Sequence, residues 1–147
     1  MNRLGVEPSV TRWTDGEARF LDWTIDGVAL RDMEPTQHQT PLFLDDDRWR
    51  ETAVETLCRL LGDLPGDFDD GRVALLVCPA CGDLGCGSYS VEVVFGDDVV
   101  EWRAFGWQTD YEPFEDSEVS EDDFTGARFE RKAYETLLRD LLSNYRA

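Results

Sequence analysis

The sequence predicts an α+β fold: an antiparallel sheet, made of an N-terminal hairpin plus a three-stranded meander, packed with two helices in the order β-β-α-β-β-β-α. Three observations predict it. Asp26-Gly27, a dipeptide suited to tight two-residue turns, separates two short apolar runs. Three further strand-like runs follow one another over residues 72–105. Two stretches with apolar residues at helical spacing, one with Val54 to Leu61 after an acidic run at 45–47 and one over about 127–145, bracket those strands. The 147 residues suit a single domain spanning 1–147. Residues 1–13 read as a loose N-terminal arm.

With Asp26-Gly27 at the tip, Ile25 pairs with Val28 and Trp23 with Leu30 on one face, and Asp22 faces Arg31 on the other. Residues 34–41 are rich in turn formers and carry the single histidine, His38. The run Asp45-Asp46-Asp47 offers a cap for the first helix and suits the positive end of its dipole. On that helix Val54, Leu57, Cys58 and Leu61 share one face, which places Cys58 in the core, and Gly62 and Pro65 end it. The run R-V-A-L-L-V over 72–77 is apolar on both faces, as a central strand would be. If Asp97-Asp98 is the tip of the next hairpin, Phe95 pairs with Val100, Val93 with Trp102, and Glu92 with Arg103. The last helix, over about 127–145, turns Tyr134, Leu137, Leu138, Leu141 and Tyr145 inward.

Composition narrows the function classes. Thirty-two acidic residues against fourteen basic ones give a net charge of −18, and Lys132 is the only lysine. Such a surface repels nucleic acid and anionic lipid and steers basic proteins toward it. A salt-adapted or arginine-favouring proteome, or solubility alone, would give the same acidity. Neither a membrane-spanning apolar run nor a secretory leader pattern is visible, so a cytoplasmic location is expected, where thiols stay reduced. A hydrophobic content of 41% with five tryptophans excludes a disordered chain.

The compact motif is Cys78-Pro-Ala-Cys81-Gly-Asp-Leu-Gly-Cys86-Gly87. Its C-x-x-C-G spacing resembles the knuckle of structural zinc sites, and Cys86 supplies a third thiolate. The fourth ligand is open among His38, Asp83 and Cys58. A redox dithiol and a simple tight connection packed with small thiols are the competing readings. The stretch LLVCPACGDLGCGSYSVEV, followed by VVEWRAFGW, resembles a family of small acidic proteins of high-GC bacteria that carry a CPxCGDxGCG loop. The resemblance covers the meander and implies that loop and strands form one unit; it implies no activity.

No catalytic constellation emerges. A Ser-His-Asp or Cys-His arrangement would have to use His38, and Gly82, Gly85 and Gly87 match no phosphate-binding fingerprint. With so many acids, paired carboxylates carry no information. The acidic aromatic stretch is more informative. Trp107, Tyr111 and Phe114 offer contact anchors, while Asp110, Glu112, Glu115 and Asp116 attract from a distance. The competing reading is that these aromatics cover the sheet edge while the acids neutralise Arg128, Arg131 and Arg139. The expectation is a non-enzymatic binding protein whose partner is a basic protein, such as a nuclease-type toxin covered by its immunity protein. The alternative is a small zinc or thiol protein acting through Cys78, Cys81 and Cys86.

Overall fold

The computed structural model describes residues 1–13, 16–33, 40–44, 49–68, 70–77, 88–108 and 126–146. The fold is α+β with two antiparallel sheets. The first holds β1 (Leu4–Trp13), β2 (Gly16–Ile25) and β3 (Val28–Ala29) in that order. The second holds β4 (Val73–Leu76), β5 (Ser88–Phe95), β6 (Val99–Gln108) and β7 (Gly126–Glu130), also in order. Helices α1 (Leu30–Met33), α2 (Arg50–Leu60) and α3 (Arg131–Arg146) complete the elements.

Residues 4–13 are not a loose arm: β1 pairs with β2 over ten positions, from Leu4↔Ile25 to Trp13↔Gly16. Pro8 argues against a strand in the sequence, but β1 is the edge of its sheet. Asp26 N donates to Arg3 O, so by alternation the ladder bonds fall on odd positions and Pro8 turns its nitrogen outward. Asn2 pins the start of the chain. Its amide nitrogen donates to Arg128 O at 2.7 Å, forming a parallel bridge with β7, and its side chain donates to Asp26 Oδ2 at 2.7 Å.

The turn at Asp26-Gly27 has positive φ at both residues, 55° and 85°, and Ile25 pairs with Val28 as expected. The expected Trp23–Leu30 pair does not form as a ladder pair. β3 lasts two residues, Leu30 begins α1, and Trp23 pairs with Val6 instead. Trp23 and Leu30 still share the core. Asp22 lies opposite Glu7 in the ladder, and the side chain of Arg31 lies outside the described residues. Residues 40–44 run along the far edge of β2, with Leu21 N donating to Leu42 O and Leu44 N to Arg19 O.

α2 buries Leu57, Cys58 and Leu60, with Val54 packed at the margin. It ends at Gly62, whose φ of 82° lets Gly62 N reach Arg59 O and Asp63 N reach Cys58 O. The expected cap at Asp45, Asp46 and Asp47 lies outside the described residues. β4 is buried along its whole length. The β5–β6 hairpin has the expected register: Phe95↔Val100, Val93↔Trp102 and Glu92↔Arg103. β7 was not expected. Residues 126–130 alternate Ala127 and Phe129 inward and pair with β6 before α3 begins, so the last helix starts four residues later than its periodicity suggests.

Both sheets and both long helices meet in one core around Trp102. Its ring stands edge-on to Trp23 at 5.9 Å, Phe129 at 5.1 Å and Tyr134 at 6.1 Å. Trp102 Nε1 donates to the Tyr134 hydroxyl, which donates in turn to Leu60 O at 2.6 Å, so a carbonyl in the last turn of α2 is satisfied from α3. Burial pushes the Tyr134 hydroxyl well above the ordinary tyrosine range.

Candidate functional site

The antiparallel register fixes which segments share an end of the four-stranded sheet. Leu76 at the end of β4 pairs with Tyr89, and Ser88 at the start of β5 pairs with Gln108 at the end of β6. The cysteine loop, residues 78–87, and the acidic aromatic stretch, which continues over 109–125, therefore attach at the same end. The opposite end is the Asp97-Asp98 turn.

Between the loop end and the middle of the sheet lies a buried arginine. Arg72, 5% exposed, precedes β4 and crosses beneath β5. Its Nε donates to Ser90 Oγ and its Nη2 to Ser90 O, both at 3.0 Å, and Nη2 also donates to Ala104 O. Ser90 Oγ passes a further bond to Gly106 O at 3.2 Å. The β5–β6 ladder changes register beside these carbonyls. Ser90 pairs with Gly106 but Glu92 with Arg103, so Ala104 and Phe105 oppose Val91 alone. Ala104 takes φ 53°, the left-handed region that costs a non-glycine residue about 1–2 kcal/mol. β4 carries a second register shift between Ala74 and Leu76, beside the same serine. Tyr89 and Phe105, rings 5.8 Å apart, fill the interior at this level.

Electrostatics around this sheet are dominated by paired charges. The Arg103 guanidinium grips Glu92 through two bonds of 3.1 Å and holds its carboxyl below the ordinary glutamate range. Burial pushes Asp67 up, opposed by the Ala74 N–H and by Arg59 at 3.2 Å. Arg128 lies 3.9 Å from Glu101, Arg131 2.9 Å from Glu135, and Arg139 3.7 Å from Asp63. Each of these three arginines thus has a carboxylate partner from outside the acidic aromatic stretch.

Of the residues singled out by sequence, Trp107 is on β6 opposite Tyr89, with its side chain outside the described residues. Asp110, Tyr111, Glu112, Phe114, Glu115 and Asp116 lie outside the described residues, as do Cys78, Cys81, Cys86, Asp83 and His38. Cys58 is described and is core: it is 7% exposed, and its Sγ accepts from Arg146 Nη2 at 3.8 Å. Among the described residues no group of three His, Cys, Asp or Glu side chains could hold a metal ion. No described helix is long and apolar enough to cross a membrane.

A groove of about 600 Å³ opens on the other side, between residues 1–4 and α3, lined by Arg3, Leu4, Lys132, Tyr134 and Leu137 among others. It sits beside β7, far along the sheet from the two strand ends that carry the sequence motifs. Sequence reasoning missed Arg72 and Ala104. The signal was slight: one arginine at the head of an otherwise apolar strand.

Comparison with protein-family models, curated proteins and solved structures finds no match for this chain.

Proposed function

We propose that this chain is a non-enzymatic binding protein whose acidic aromatic stretch engages a basic protein, in its most specific form as an immunity protein or inhibitor covering the nucleic-acid-binding cleft of a nuclease-type toxin. The observation that carries the reading is the pairing of Arg128, Arg131 and Arg139 with Glu101, Glu135 and Asp63. The acids of residues 109–125 are not needed to neutralise those arginines. This segment holds eight acidic and no basic residues, a large share of the net charge of −18. A concentrated charge of this kind accelerates encounter with a basic surface, and interleaved aromatics give contact energy once the two meet. The test is a pull-down from an extract of the native cell, followed by association rates at low and high salt. A basic protein whose association slows markedly as salt rises supports the reading. Recovery of no basic protein, or of a partner indifferent to salt, contradicts it.

A second reading gives the neighbouring loop a structural zinc on Cys78, Cys81 and Cys86. It is favoured by the C-x-x-C-G spacing between strand ends held in register. Elemental analysis of protein purified without chelator decides it: well under one zinc per chain ends this reading.

A further inference from the structure

We infer that the groove between residues 1–4 and α3 binds a small amphipathic anion, with a carboxylate or phosphate head held between Arg3 and Lys132 and an apolar body laid against Leu4, Phe129, Tyr134 and Leu137. The groove lies beside β7 rather than at the strand ends that lead into residues 78–87 and 109–125, so this site and the basic-protein reading stand or fall separately.

Charge singles out the two rim residues. The chain holds thirty-two acidic residues, and Arg59, Arg103, Arg128, Arg131 and Arg139 each have a carboxylate partner. Among the described residues, the exposed side chains of Arg3 and Lys132 have no such partner, and Lys132 is the only lysine. They stand on two walls of one groove, Arg3 on residues 1–4 and Lys132 in the first turn of α3. Glu130 is the one acid among the described residues that line it. A guanidinium fork and an ammonium on facing walls suit a single anionic head. Below them the lining is apolar. Phe129 and Tyr134 are each 1% exposed, with rings stacked 5.7 Å apart. The Tyr134 hydroxyl is taken up by Leu60 O, so both residues contribute ring surface. Leu4 and Leu137 are only partly buried and flank them. A volume of about 600 Å³ falls in the range of small-ligand sites, which combine a mostly apolar lining with a few charged or polar groups. Two larger occupants fit less well. A peptide strand added to β7 would need the outward backbone groups of Arg128, and Asn2 already takes both: Asn2 N donates to Arg128 O, and Asn2 Oδ1 accepts from Arg128 N. An anionic membrane would meet the whole net charge of −18, whereas one small anion answers mainly to the cations within a screening length of about 8 Å.

The test titrates the full-length chain with octanoate, octyl phosphate, octanol and octyltrimethylammonium, read by amide chemical shifts. Saturable binding of one octyl anion per chain is expected, with shifts centred on residues 2–4 and 129–137, and the tighter of the two anions identifies the head group. Octanol is expected to bind about fivefold more weakly than that anion, and the octyl cation more weakly still. Arg3→Gln and Lys132→Gln are each expected to weaken the anion about fivefold without changing octanol binding. Both variants keep the fold, because neither side chain has a partner in the free protein. Glu130→Gln removes the one acid of the lining and is expected to tighten the anion. No saturable binding of either anion, or shifts centred on the smaller cavity at Phe43, Leu141 and Tyr145, would overturn the proposal. Equal binding of anion, alcohol and cation, or wild-type affinity in both glutamine variants of Arg3 and Lys132, would do the same. So would an acidic peptide that saturates the groove where neither octyl anion does.

Discussion

In the four-stranded sheet one arginine donates to a backbone carbonyl at the Asp97-Asp98 turn and another at the bulge opposite Val91, and the two sites differ in almost everything else. At the turn, Arg131 reaches Gly96 O at 2.7 Å, lies over the Phe95 ring at 5.7 Å and pairs with Glu135, while its side chain stays 39% exposed. At the bulge, Arg72 is 5% exposed and serves the carbonyls of Ser90 and Ala104. The turn end is regular: Gly96 N donates to Val99 O, the register is unbroken from Phe95↔Val100 to Glu92↔Arg103, and water can replace the arginine. The ladder is bulged on both sides of Ser90, and the guanidinium there is buried. One donor chemistry thus serves a surface turn in one place and a buried irregularity in the other.

The largest expected effect breaks this contrast directly. Arg72→Met removes three hydrogen bonds made by a buried side chain and should cost about 3 kcal/mol in urea unfolding. If it cost no more than the exposed arginine, burial would not be what separates the two ends. Midway along the sheet, Tyr134→Phe removes the hydroxyl between Trp102 Nε1 and Leu60 O and should cost about 2 kcal/mol, readable in the same titration. Arg131→Met should cost under about 1 kcal/mol, as exposed pairs do.

The smallest effects are in pH dependence, where two carboxyls act with opposite sign. Glu92 is held below its ordinary value of 4.5 by Arg103, so its contribution is present above the unfolded pKa and is lost as pH falls through the lowered folded one. Asp67 is raised above its ordinary value of 3.8 by burial, so its contribution is present below the unfolded pKa and is lost as pH rises through the folded one. Acid titration of stability should therefore become shallower in Glu92→Gln and steeper in Asp67→Asn. The same change in both variants would contradict the assignment of these shifts.

The regular end was legible in the sequence, and the irregular end was not. Turn chemistry at Asp26-Gly27 and Asp97-Asp98 set the pairs nearest each tip, because a tip residue determines the register until a strand ends or bulges. β1 escaped notice because Pro8 and its polar neighbours look like a flank, although an edge strand tolerates both. β7 escaped because its five alternating residues run into a helix whose apolar spacing conceals the change of period. Arg72 gave only a slight signal, because a bulge is a mismatch between two strands and no single strand's sequence records it. Of the candidate site, what could be read was the residue chemistry of residues 78–87 and 109–125. That both leave one end of one sheet required the topology.

The most direct measurement of the central claim is binding kinetics of charge-reversed variants with the recovered basic partner at low salt. Reversing two or three of Asp110, Glu112, Glu115 and Asp116 should slow association, while Trp107→Ala or Tyr111→Ala should mainly speed dissociation. Association that proceeds at the wild-type rate after the reversal would contradict the claim that this stretch recruits the partner.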